Sequence, residues 1–389
     1  MERINNRFLY TQRAAYRAAK LFYLLFWLLK PFYIIKSGSM QLGDICLGIS
    51  FLMVLISDGL QVHINRKDVP LFFFVLAVAG INTIYASIHL DASFVAPILY
   101  FIFNFMCVYI TRIFLADSNF NNRFNTILKF NLILQLGVFL LGMGRWYLFE
   151  RYMGTYNDPN QLGFAVLSTY CLIYCLNRKQ HTKHQWIFFL IAVFLIFQTN
   201  SVGMFFSMLM IFVFEQYFRL AKFESNIKKI LYIAYLVVIS GVIVYAGSYF
   251  LLVITGAIKT DINVLQRFAE KIAHGSLLDS FINDRSLYAF FRDPIKCLYG
   301  AGEGAFKRIN QGSELHSTWI SLLYYYGIVP FCFLIFWIKN NLKKIDWYIF
   351  PVYVCIFAEA LTLINHRQPS FWVLILMGSF MKRTNDRFL

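Results

Sequence analysis

Between Asn283 and Gly327 the chain gathers arginines, glutamates, glycines and a histidine just ahead of an apolar run: NDRSLYAFFRDPIKCLYGAGEGAFKRINQGSELHSTWISLLYYYG. His316 stands where polar sequence gives way to that run, followed by Ser317, nine residues and Gly327. An imidazole at this junction suits a general base, because it takes up and releases a proton near neutral pH. It equally suits a residue that caps or anchors a helix. Glu314 and Glu303 are alternative bases, Glu314 being the nearer in sequence. Arg285 opens the segment DRSLYAFFRD, which reads as a short amphipathic helix stopped by Pro294. Arg292 falls two turns later on the same side, with Tyr288 between them. A guanidinium at a helix start opposes the macrodipole, so helix stability does not explain Arg285. A bidentate grip on phosphate does, with backbone donors at the helix start adding to it. Pairing with lipid headgroups is the alternative.

Other polar features are weaker. Gly300, Gly302 and Gly304 form GAGEG, but a dinucleotide fingerprint needs a strand–turn–helix unit, which this context does not supply. The glycines mark either a tight turn where backbone approaches a ligand or a flexible loop. In RYMGTYNDPNQLG, residues 151–163, Asp158 fits an N-cap, Pro159 the first helical position and Gln161 the third. That accounts for Asp158 to Gln161 and leaves Arg151 and the Gly154–Thr155 turn unexplained, with Asn160 a candidate contact beside them. Asn200-Ser201-Val202-Gly203 is a polar break that reads as a tight turn. His366 and Arg367 sit in the last turn before the final apolar run, placed either to meet a bound anion or by accident of topology. Lys30-Pro31 reads as a kink or end of the first helix, with the lysine snorkelling.

The chain that carries these residues is 59% hydrophobic and 14% charged, whereas soluble domains carry about 25% charge. Its mean hydropathy is +0.58. An integral membrane protein is expected. Apolar runs lie at 21–35, 43–62, 70–90, 94–116, 126–148, 161–177, 186–200, 202–218, 229–256, 316–338, 345–365 and 370–381. They predict about twelve transmembrane helices, some short against the roughly 20 residues of a bilayer crossing. Runs such as FFLIAVFLIF exclude the alternating pattern of a β-barrel. The expected fold is an all-α polytopic membrane protein, a single domain over residues 1–389. Most of the Phe and Tyr residues are expected to face lipid or form interfacial belts.

Basic residues sharpen the topology. Arg3, Arg7, Arg13, Arg17, Lys20, Arg66, Lys67, Arg123, Arg178, Lys179, Arg219, Lys222, Lys339, Lys343 and Lys344 fall in alternate short connections or the N-terminal lead. The opposite short connections hold only Lys36, Arg145, Arg151 and Arg367. By the positive-inside rule both termini are cytoplasmic, and the 145–160 loop, the 365–370 turn and the long 257–315 loop are external. In that long loop VLQRFAEKIAHG reads as a further amphipathic helix along the membrane surface. The basic N-terminal lead lacks a small-residue cleavage site and reads as cytoplasmic. The net charge of +16 is spread over many loops, so no nucleic-acid partner is expected. The seven cysteines lie mostly within apolar runs, which gives no disulfide framework or zinc site. No carboxylate pair at metal-binding spacing is present, and neither metal nor cofactor is expected.

Taken together, GTYNDPNQLG before a middle helix, the later TNSVG break, R-x6-R-D-P-x5-G-x-G-x-G and His-Ser-x9-Gly resemble the O-antigen polymerase (Wzy) and O-antigen ligase superfamily. The matching motifs fall between residues 151 and 327. The resemblance implies a GT-C-like membrane glycosyltransferase that works without divalent metal on oligosaccharide carried by undecaprenyl diphosphate, at the periplasmic face of the bacterial inner membrane. It implies His316 as base and Arg285 as the diphosphate-binding arginine, with Arg292 and Arg151 matching less closely. Tyr288, Asn160, Glu303, Glu314 and Arg367 become candidate sugar or diphosphate contacts. Many relatives have Ser-Arg-Gly where this chain has Ser201-Val202-Gly203, so Arg151, Arg145 or Arg367 would have to replace the missing arginine. Inverting transfer by direct displacement is expected, a histidine deprotonating the acceptor and arginines stabilising the departing diphosphate. The expected function is polymerisation of repeat units, with a chain-length regulator and a flippase as further partners. A ligase that moves finished polymer to lipid A core is the alternative. A lipid-linked sugar transporter would call for charged or broken helices at mid-membrane, where this sequence has few charges.

Overall fold

The computed structural model describes residues 2–35, 40–180, 185–221, 285–304 and 314–381, with isolated helical residues between 226 and 282. The chain is mainly helical. Helices α1 (Glu2–Leu29), α2 (Leu42–Ser57), α3 (Val69–His89), α4 (Val95–Phe114) and α5 (Ser118–Leu140) come first. A two-stranded hairpin, β1 (Arg145–Tyr147) and β2 (Arg151–Gly154), separates them from α6 (Pro159–Gln180), α7 (Gln185–Gln198) and α8 (Val202–Ala221). After the long loop come α9 (Tyr288–Arg292), α10 (Lys296–Tyr299), α11 (Thr318–Tyr326), α12 (Ile328–Leu342), α13 (Phe350–Glu359) and α14 (Pro369–Met377).

Local chemistry sets several of these boundaries. Pro31 cannot continue α1, and prolines in the first turn open α3, α13 and α14. Asp158 accepts from the backbone N–H groups of Asn160 and Gln161, so α6 starts as the sequence predicts. Lys30 does not snorkel: its Nζ lies 2.8 Å from Asp44, whose carboxylate also closes the capping box with Gln41 at the start of α2.

Helix α14 is buried on every side and packs against α4, α6 and α12, as an element apolar all round must. Aromatic residues also fill much of this interior. Trp337, Trp372, Tyr326, Phe74 and Phe101 are fully buried, Phe101 meeting Tyr326 edge-on at 5.5 Å and 89°. The outer faces carry exposed Leu52, Ile84, Leu99, Ile133, Leu190 and Phe206. Among the described residues, two helical stretches, Val69–His89 and Ala92–Phe114, are long and apolar enough to cross a membrane, and six other apolar helices are shorter.

Three features differ from expectation. Run 316–338 is not one helix but α11 and α12, broken at Gly327 with φ +80°. A Cβ there would stand 2.8 Å from the Leu298 carbonyl, because the end of α10 crosses at that point. The 145–160 loop holds the β-hairpin, with Trp146 paired to Tyr152 and Tyr147 to Arg151. Helix α9 begins only at Tyr288, so Arg285 lies in the preceding turn and does not share a helix face with Arg292. The segment 264–275 lies outside the described residues.

Contacts between connections fall into two sets. In one, Arg112 at the end of α4 binds Asp68, Asn341 and Ser379, and Arg178 lies over the Tyr348 ring at 4.2 Å. The other gathers residues 31–35, 150–160, 199–201, 285–304, 314–317 and 360–368, and it contains the candidate site.

Candidate functional site

The turn before α9 and the start of α11 meet through the backbone: the His316 N–H donates to the Arg285 carbonyl at 3.0 Å. Thirty positions of intervening chain thus return to one point, where the catalytic pair expected from the sequence stands side by side. Ser286, next to Arg285, holds φ +53°, a conformation uncommon for non-glycine residues and concentrated at functional sites. Ser317, not His316, caps α11, its hydroxyl accepting from the Ile320 N–H at 3.5 Å. Thr318 secures the same helix start, its N–H donating to Ala360 at 2.8 Å and its hydroxyl to the Leu363 carbonyl at 2.7 Å. With capping assigned to its neighbours, His316 is left with an exposed edge.

Charge converges on that imidazole. Desolvation by the surrounding loops, with Arg367 and Arg285, holds it below the ordinary histidine value, against the opposing pull of Glu314 and Asp158. A neutral imidazole at physiological pH is the form a general base needs. Asp158 therefore does more than cap α6: it brings the head of that helix to the histidine. Beside it, Arg151 donates to the Asn160 side chain at 2.7 Å and to the Thr199 carbonyl at 3.0 Å. The polar break is tied in by Asn200, which donates to the Glu150 carbonyl at 2.8 Å. The Gly154–Thr155 turn has a structural explanation. Thr155 bonds Pro31 and Gln135, and a Cβ on Gly154 would stand 2.4 Å from the Gln135 side-chain oxygen.

Behind His316 lies a second cluster. Arg367 grips Glu314 with two nitrogens, at 3.0 and 3.1 Å, and Glu303 at 2.6 Å, with Tyr100 beneath the guanidinium at 5.7 Å. Glu303 is only 3% exposed. Tyr326 donates to its carboxylate, Asn82 accepts from its backbone N–H at 3.0 Å, and His366 Nε2 stands 3.8 Å away. Burial opposes ionisation of Glu303, yet Arg367, His366 and the Tyr326 hydroxyl hold its carboxyl well below the usual range. Glu303 is thus an ionised internal counter-charge, and Glu314 is engaged by Arg367; His316 is the candidate base with an accessible edge and, among the described residues, no carboxylate's grip. The GAGEG turn is packed geometry: Ala301 and Gly302 donate to the Tyr324 and Tyr325 carbonyls at 3.0 and 2.9 Å, and Tyr85 donates to Gly300 at 2.8 Å.

Arg292 and Tyr288 are exposed on α9. Arg292 acts on Tyr324 together with Asp293 and Cys297. Arg145 bonds Asn157 on the exposed hairpin. Glu359 is not among the candidates read from the sequence. This carboxylate, at the end of α13, is 3% exposed, lies against Gly203 and acts electrostatically on Arg285. A lone glutamate in an apolar run carries no spacing signal, and only the approach of α8 to α13 brings it to the site. A cavity of about 30 Å³ lined by Lys30, Asn131, Gln135, Tyr156 and Gln368 lies under the 151–163 segment, with room for a water or two and none for a sugar. Among the described residues, no three His, Cys, Asp or Glu side chains converge as metal ligands.

No protein-family model matches the chain, and comparison with curated proteins returns no match either.

Proposed function

We propose that the protein is a polytopic membrane glycosyltransferase that polymerises undecaprenyl-diphosphate-linked oligosaccharide repeat units at the periplasmic face of the bacterial inner membrane. The observation that carries this reading is the pairing of Arg285 with a half-open, deprotonation-favoured His316 at one end of an apolar helical bundle. His316 Nδ1 or Nε2 accepts the proton of an acceptor sugar hydroxyl as that oxygen attacks the anomeric carbon. The bond to the diphosphate breaks on the opposite face, inverting the centre. Arg285 supplies charge to the departing diphosphate, which otherwise carries its full negative charge into a weakly polar environment. Arg151 stands on the same face and is the nearest replacement for the arginine absent at Val202, since Arg367 is committed to two carboxylates.

The membrane setting is supported by the apolar outer faces and by the two long apolar helical stretches. Large apolar patches on a monomer's surface mark lipid or protein contact. In this arrangement the His316 end is periplasmic and the lysine-rich end, with both termini, is cytoplasmic.

His316→Ala and Arg285→Ala, each inserted at normal level, are expected to abolish the long-chain polysaccharide ladder on a gel of surface polysaccharide. An intact ladder in either variant would overturn the catalytic reading. Deletion of the gene is expected to leave core bearing one repeat unit. Bare core would instead identify a ligase.

A further inference from the structure

We infer that the end of the molecule opposite His316 carries a binding site for the headgroup of an anionic phospholipid. The site is the cleft between the α2–α3 and α12–α13 connections. It measures about 390 Å³ and is lined by Arg66, Lys67, Asn340, Lys343 and Lys344. These residues come from two segments far apart in the chain, so their convergence is a product of the fold and not of a single charged run. Among the described residues, the lining includes no carboxylate. The nearest acid in sequence, Asp68, is buried and committed elsewhere, both its oxygens being held by Arg112 and one also by Trp337. Lys344 is held at φ +66°, a left-handed conformation that a residue with a Cβ adopts reluctantly.

The surface next to the cleft narrows the ligand class. Arg66 and Lys67 lead into α3 and Lys343 follows α12, and these two helices pack side by side. Within two turns of the cleft they present Phe73 stacked on Phe333 at 5.8 Å, with Phe73, Leu76 and Phe336 exposed. A cationic cleft continuous with an apolar interhelical groove matches a phosphodiester headgroup with acyl chains. A free anion would use only the cleft. Basic pockets between helices at the cytoplasmic side are a recurring way of holding such lipids. The inference rests on the membrane part of the proposed function and is independent of glycosyl transfer.

The test uses the full chain, extracted from membranes in detergent and examined by native mass spectrometry with added phosphatidylglycerol, phosphatidylcholine or inorganic phosphate. Phosphatidylglycerol is expected to be retained in preference to phosphatidylcholine, and equimolar inorganic phosphate to leave it bound. Arg66→Gln, Lys343→Gln and Lys344→Gln are each expected to weaken retention by about fivefold. Lys343→Arg/Lys344→Arg and His316→Ala are expected to keep it. Equal retention of the two lipids overturns the site and needs no variant. Unchanged retention in the combined glutamine variant, or displacement by inorganic phosphate, overturns it too. A chain recovered in the aqueous fraction after lysis would instead overturn the membrane reading itself.

Discussion

His316 lies between two arginines and two carboxylates, so its titration reports directly on the site. Its imidazole is held below the ordinary value near 6.5 by desolvation first and by Arg367 and Arg285 next. A base works in its neutral form, so activity is expected to hold down to pH values below 6.5 and to fall as pH drops through the lowered pKa. Glu314→Gln removes a carboxylate that raises this pKa and also leaves Arg367 less neutralised. Both changes lower the pKa, so the acid limb of the pH–rate profile is expected to move further down. An upward shift would mean that His316 is not the titrating group. The Arg367–Glu303 pair invites a stability test. Arg367→Met leaves Glu303 ionised and buried against His366 and Tyr326, which costs about 3–5 kcal/mol when a partner is removed. A large fall in thermal melting of the detergent-extracted protein is expected, with partial recovery when Glu303→Gln is added.

At the scale of elements, two glycines separate packing from chemistry. Gly327 breaks α11 from α12 at φ +80°, with the Leu298 carbonyl 2.8 Å from where a Cβ would stand. Gly327→Ala must displace the backbone that leads into the GAGEG turn, and with it Glu303. A sharp loss of melting temperature is expected, whereas Gly80→Ala, in α3 with open space around it, is expected to be near neutral. Gly203→Ala is different in kind. Its Cβ would stand 2.8 Å from Glu359, which acts on Arg285. Activity is expected to fall more than melting temperature, and equal losses in both would make Gly203 a packing residue only.

For the whole molecule, the two sets of connections define two ends, and the proposed orientation, drawn from the basic residues, puts the His316 end outside the cytoplasm. Phe149, 96% exposed at the hairpin tip, belongs to the His316 end, and Lys344 to the other. Reporter fusions that fold only outside the cytoplasm are expected to be active at Phe149 and silent at Lys344, and the reverse holds for a cytoplasmic reporter. Activity on the same side at both positions would show that the connections do not alternate.

By itself the sequence determined the helical class, most helix positions and the pairing of His316 with Arg285 as the residues to watch. Apolar length, proline and Asp158-type caps act locally, and motif spacing survives without coordinates. It misplaced what depends on long-range contact. The split at Gly327 arises because the end of α10 crosses there. Glu303 and Glu314 read as bases until Arg367 closes on both, and the Gly154–Thr155 turn has no explanation until Gln135 and Pro31 arrive beside it. Glu359 had no signal at all. Whether a carboxylate is free to act depends on which distant charge desolvates or neutralises it, and only the packing of α6, α8, α11 and α13 around one mouth decides that.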